Sequence, residues 1–125
     1  MGNPHAVLFT ENISDLKLEK IGPYFENHEL FPERINTEFI EVIDGHTLNM
    51  RVWERGSGET FACGTGACAS AVAAVLNNYC KYDEEILIHL RGDNISIRIC
   101  FFKSIDFLCD IDKQIVFLQS EKIFI

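Results

Sequence analysis

Between Thr65 and Leu76 the chain passes through Ala67, Ala69, Ala71, Ala73 and Ala74, and nearly every other position is small or apolar. Alanine is the strongest helix former, so this stretch is the clearest helix in the sequence. A helix that is apolar on most faces has no side to offer water and must be enclosed. The flanking sequence supplies strands to enclose it. Ile35–Ile43 and Thr47–Trp53 carry strand patterns around Asp44-Gly45, a strong hairpin signal. Glu85–Leu90 and Asn94–Phe102 form a second pair with Gly92-Asp93 at the turn, and Ala6–Phe9, Ile105–Leu108 and Gln114–Leu118 read as shorter strands. Leu16–Asn27 is a second helix candidate, with Leu16, Ile21 and Phe25 apolar and Asp15 available as a cap. Gly22-Pro23 should break it into two short pieces. Glu54–Ala62 is polar and glycine-bearing, hence a loop. The expected architecture is α+β: a curved, largely antiparallel sheet or partial barrel wrapped around one central apolar helix.

Composition narrows the function. At 125 residues, with a hydrophobic fraction of 47% and ten phenylalanines, the chain reads as one packed domain. No apolar run reaches the roughly 18 residues needed to cross a membrane. The opening Met-Gly-Asn-Pro-His has no basic segment followed by an apolar stretch, so the expected compartment is the cytoplasm. A net charge of −8 argues against nucleic acid and anionic membranes as partners. The five cysteines, Cys63, Cys68, Cys80, Cys100 and Cys109, contain no C-x-x-C pair, which disfavours a disulfide framework or a zinc site. All but Cys63 read as buried free thiols.

Cys63 stands in the informative segment, Arg51-Val-Trp-Glu-Arg-Gly-Ser-Gly-Glu-Thr-Phe-Ala-Cys-Gly-Thr-Gly-Ala-Cys-Ala-Ser70. A strand ends in Glu54 and Arg55, a loop follows, and a cysteine immediately precedes a helix that opens Gly64-Thr65-Gly66. A helix N-terminus presents free N–H groups and partial positive charge. A thiol there should have its pKa lowered. The same N–H groups can cradle a carboxylate, and glycines let the backbone approach it closely. Three rival readings compete. Gly64-Thr-Gly66-Ala-Cys-Ala69 fits a loose dinucleotide fingerprint, which should follow a buried parallel strand rather than a polar loop. A Cys63–Cys68 metal pair is poor, because five residues along a helix point to different faces. A capping loop with an incidental cysteine is the plain structural alternative.

The run from Glu54 to Ala69 resembles the second active-site signature of the diaminopimelate epimerases. Met1-Gly-Asn-Pro-His-Ala-Val7 and Phe31-Pro-Glu-Arg-Ile-Asn-Thr-Glu-Phe39 are similar to two further family segments, in the family's order, and the likeness extends to about residue 98. The resemblance implies a cofactor-independent epimerase, acting on diaminopimelate in lysine and peptidoglycan precursor biosynthesis, with two cysteines on opposite faces of the substrate α-carbon. Cys63 matches the second of these cysteines. Gly64 and Thr65 match positions that bind the substrate carboxylate, and Asn3 and Asn36 match asparagines that grip its distal end. Arg55 matches the arginine that holds a carboxylate, a task suited to a guanidinium fork. Glu54 matches a catalytic residue that contacts the amino group, and His5 a histidine near the thiols. Neither a metal nor a cofactor is implied. Read without the resemblance, the asparagines serve as turn residues and Glu54–Arg55 as a solvated pair.

The departures bear on partners. The family has two domains, each a sheet around a helix, and the first brings the other cysteine. None of Cys68, Cys80, Cys100 and Cys109 sits in a comparable loop–helix signature, so the chain is expected to be a partial C-terminal domain that lacks its first domain. Residues 105–125 lack a Thr-Gly-Pro-Ala-like element expected near the family's C-terminus. The chain is expected to be inactive alone and to need the missing half, with self-association as a further possibility for an open sheet edge. Three alternatives stay open: a non-catalytic remnant, an amino-acid-binding fragment, or another amino-acid racemase of the same fold.

Overall fold

The computed structural model describes residues 4–61 and 63–99, together with the backbone of residues 115–119 and 122–124. Its elements are β1 (His5–Phe9), a 3-10 turn (Ile13–Asp15), α1 (Leu18–Glu26), β2 (Asn36–Asp44), β3 (Thr47–Glu54), β4 (Gly58–Thr60), α2 (Gly64–Leu76), β5 (Glu85–His89), β6 (Asn94–Arg98), β7 (Ile115–Gln119) and β8 (Lys122–Phe124). The strands form a single sheet in the order β6-β5-β3-β2-β1-β7-β8, with β4 sharing the outer edge of β3 with β5. The expected α+β fold is borne out, and α2 is its apolar centre. Chain-local pairs β2–β3, β3–β4, β5–β6 and β7–β8 are antiparallel. The pairings β1–β2, β1–β7 and β3–β5 are parallel. In β1–β2 and β3–β5 a helix carries the chain back, α1 in the first and α2 in the second, as parallel neighbours require.

Strand alternation sorts the core into two faces. Val7 and Phe9 of β1, Ile40 of β2, Leu48, Met50 and Val52 of β3, and Ile86 and Ile88 of β5 pack with the alanines and valines of α2. Phe39 and Trp53 point the other way and pack with Ile13, Leu18 and Phe25 around α1. Small side chains on α2 let the sheet come close on several sides: Ala67, Ala71, Ala73 and Ala74 are each 0% exposed.

Four expectations are corrected. Gly22-Pro23 does not split α1, which runs unbroken with Pro23 inside it. Pro23 removes one hydrogen bond, to the carbonyl of Glu19, and Glu19 is exposed where water can serve that oxygen. Gly22 lies so close under Trp53 that a Cβ on it would come within 2.2 Å of the indole. Asp15 ends the 3-10 turn rather than capping α1, whose N-cap is Lys17 with no side-chain bond. The supposed loop 54–62 contains β4, turned back onto β3 through Gly56 and Gly58 at φ +78° and +79°. Cys68 is exposed rather than buried, on the outer side of α2. The expected strand Ile105–Leu108, the last residues of Asn94–Phe102, and Cys100 and Cys109 lie outside the described residues. No helix among the described residues is long and apolar enough to cross a membrane.

Candidate active site

Register assembles the site. His5 and Asn36 are cross-strand partners at one end of β1 and β2, and Val7 faces Glu38 one step inward. Glu38 in turn faces Val52 of β3, so Glu54, two residues on, lies on the same face. These inward-facing polar residues meet the N-terminal end of α2. His5, Asn36 and Glu38 are all buried, and Glu54 is half-buried.

Cys63 is the N-cap of α2, in extended backbone at φ −143°. Its Sγ accepts the backbone N–H of Gly66 at 3.2 Å and lies 3.5 Å from Thr65 Oγ1, while its carbonyl accepts from Ala67 at 2.9 Å. The first N–H groups of a helix have no partner within it, so those of Gly64 and Thr65 remain for an outside acceptor. Both residues are exposed, and a Cβ on Gly64 would meet nothing within 4 Å. The arrangement offers a half-buried thiol beside an open anion cradle.

The electrostatics differ from the expectation. Burial pushes the Cys63 thiol above its ordinary range; the Thr65 and Gly66 hydrogen bonds pull it back, and negative charge on Glu54, or on Glu38 when that acid is ionised, pushes it further up. The helix terminus is outweighed because the thiol is partly removed from water with two acids nearby. Burial likewise raises Glu38, opposed by its contact with His5 and reinforced by Glu54.

The other expected residues are placed as follows. Glu54 accepts the Thr60 hydroxyl at 2.8 Å. The Arg55 backbone N–H donates to Asn36 Oδ1 at 2.7 Å, so this asparagine holds the end of β3 as well as lining the face. The exposed Arg55 guanidinium donates to the Glu33 carbonyl at 3.0 Å. Asn3 lies outside the described residues. No group of three or more side chains able to hold a metal occurs among the described residues. The segment before Gly64 is a short antiparallel edge strand, which does not suit the dinucleotide reading. A cavity of about 440 Å³ lined by Phe9, Glu11, Glu41 and Tyr79 among others lies at the opposite end of β1 and β2, away from this chemistry.

Sequence reasoning passed over Glu38. Its Oε1 lies 2.7 Å from His5 Nδ1, and period-two alternation with the expected Asn36 was the signal that could have found it.

With the geometry in hand, similarity separates the rival readings of the Cys63 segment. The family model for diaminopimelate epimerase matches residues 1–105. The chain belongs to the diaminopimelate epimerase family. It is 61% identical over 97 residues to a diaminopimelate epimerase of Desulfovibrio desulfuricans, covering 78% of this chain and 33% of that protein. It is 55% identical to one from Agathobacter rectalis, with 78% and 33% covered, and 56% identical to one from Bacillus cytotoxicus, with 78% and 34% covered. The chain thus spans about a third of the length of these epimerases. The matched stretch includes every candidate site residue.

Proposed function

We propose that this chain forms one side of an epimerase site that interconverts L,L- and meso-diaminopimelate without a cofactor, in the cytoplasm, for lysine and peptidoglycan precursors. The observation that carries the reading is Cys63 at the cap of α2, its thiol beside the first-turn N–H groups of Gly64 and Thr65, which have no partner within the helix. A substrate α-carboxylate bound to those groups brings the α-carbon to the thiol, and the same donors stabilise the charge that spreads into the carboxylate when the α-proton leaves. One thiolate removes that proton, leaving as a thiol, and a thiol on the far face delivers its own proton, becoming the thiolate. No net proton is gained or lost. The raised pKa suits Cys63 at rest to the delivering role, and the reverse reaction exchanges the roles.

Glu54, held by Thr60, takes the substrate amino group. Arg55 leaves the Glu33 carbonyl to take a carboxylate, Asn3 and Asn36 meet the distal end, and His5 stands by the thiol. The second thiol comes from the family's first domain, in a longer protein or as a separate chain. Self-association is a second partnership, through the edge strands β6 and β8 of the described sheet.

The test is solvent-deuterium incorporation at the α-carbon of L,L-diaminopimelate. The 125-residue chain alone should stay at background. Addition of a first domain from a relative should give exchange that Cys63→Ala abolishes. Exchange by the chain alone that survives Cys63→Ala would sink the reading. A stable chain that forms no complex with that domain would favour a non-catalytic, amino-acid-binding role, and exchange on another amino acid in preference would favour a different racemase.

A further inference from the structure

Glu38 occupies a cross-strand row whose other members are Val7 and Val52, and its side chain is 0% exposed. An acid in that row needs an explanation. Its two oxygens are not equivalent: Oε1 lies 2.7 Å from His5 Nδ1, whereas Oε2 is buried with no hydrogen-bond partner among the described residues. An ionised carboxylate shares its charge between both oxygens, and one of them would stand bare in a dry site. A protonated carboxyl instead has one hydroxyl, which must find an acceptor, and one carbonyl oxygen, the less costly group to leave unpaired. The second description fits the pair. A ring whose Nδ1 accepts a hydrogen bond carries its own hydrogen on Nε2.

We propose that Glu38 is a neutral buried acid and the positioning residue for His5, donating Oε1–H to Nδ1 and holding the ring as its Nε2–H tautomer. His5 is then a hydrogen-bond donor at the Cys63 end of the sheet rather than a base. Among the described residues, the other ionisable groups facing Glu38 are Glu54 from β3 and Cys63 from α2. Neither carries positive charge to favour ionisation of Glu38, and Glu54 opposes it. Burial acts in the same direction. The contact with α2 is close: a Cβ on Gly66 would lie 2.6 Å from Glu38 Oε1 and 3.0 Å from Cys63 Sγ. Glycine at that helix position lets the acid and the thiol converge on one spot.

The inference rests on the proposed function only for what the His5 donor serves; the tautomer itself is read without turnover, so either can fail alone. Long-range 15N–1H spectra of the 125-residue chain at neutral pH, assigned with His5→Gln, should show a pyridine-type Nδ1 and a pyrrole-type Nε2 on His5. Infrared spectra should show the carbonyl stretch of a protonated carboxyl, lost in Glu38→Gln. A glutamine amide donates where the hydroxyl did. Glu38→Gln should therefore keep the tautomer and leave the pH midpoint of Cys63 alkylation unmoved, whereas Glu38→Leu should mix the tautomers. A pyrrole-type Nδ1 in the native chain, or a downward shift of the Cys63 midpoint in Glu38→Gln, means an ionised Glu38 and overturns the proposal. If Glu38→Leu does not fold, the native spectra and the glutamine variant still decide.

Discussion

Cys63 uses one sulfur for two purposes: it closes the first turn of α2 and it faces the open cradle at the helix end. Burial and the nearby charge of Glu54 hold the thiol protonated at neutral pH. Brief iodoacetamide treatment at pH 7 should therefore label the exposed Cys68 ahead of Cys63, with Cys63 gaining only as pH rises past the ordinary thiol range. Peptide mapping by mass spectrometry checks this, and Cys63 labelled first at pH 7 would contradict it. Arg55 gives a second prediction at this scale. Lysine keeps the charge but loses the two-pronged fork, so Arg55→Lys should cost a complemented enzyme about 10–100-fold in exchange rate, equivalent to one charge-assisted hydrogen bond of roughly 1.5–3 kcal/mol. Cys63 and Glu54 drew notice in the sequence because they lie in the Glu54–Ala69 run that resembles the family signature; without it, a capping loop with an incidental cysteine was as good a reading. Glu38 drew no such notice. An acid inside Asn-Thr-Glu-Phe looks solvated until the strand pairing turns it inward between two valines.

Among the elements, α1 depends most on contacts made by a single acid. Glu26, at its last turn, accepts from Arg34 at 2.9 Å, the Trp53 indole at 2.7 Å and the Gly56 N–H at 2.9 Å, so it ties α1 to β3 and to the β3–β4 turn. Removing it in Glu26→Ala should destabilise the fold by roughly 2–3 kcal/mol, measured by urea unfolding. Burial works to raise its pKa, but the Trp53, Gly56 and Arg34 hydrogen bonds prevail and hold it below 4.5. The native state then binds fewer protons than the unfolded chain near that value. Stability from Glu26 is present above pH 4.5 and is lost as pH falls through the folded value. Glu38 has the opposite sign: its contribution is complete below 4.5 and is lost as pH rises through its raised folded value. Acid unfolding of Glu26→Gln should accordingly be flatter than that of the native chain below pH 4.5. Gly22→Ala belongs here too, since its methyl meets the Trp53 ring; overpacking of this kind costs about 1–3 kcal/mol. Composition made α2 legible, but for α1 the Gly-Pro pair misled. Propensity penalises that pair in isolation, whereas here the glycine is what admits the tryptophan.

At the scale of the molecule, the sheet mixes two kinds of pairing with different histories. β2 with β3 and β5 with β6 join neighbours along the chain and can form as soon as each hairpin is made. The β1 strand has no neighbour of that kind. One of its edges is taken by β2 after α1 has crossed over, and the other by β7, where His5 stands opposite Ile115. Hairpin signals such as Asp44-Gly45 report only the local pairings, which is why the parallel ones left no mark in the sequence. The consequence is one of time. As the chain is made, β1 leaves the ribosome long before β7, and until β7 follows its second edge is an open template. Contacts this distant in sequence slow folding. Refolding of the chain should show fast protection of β2 and β3 amides from hydrogen exchange, with the β7 amides that pair with β1 protected last.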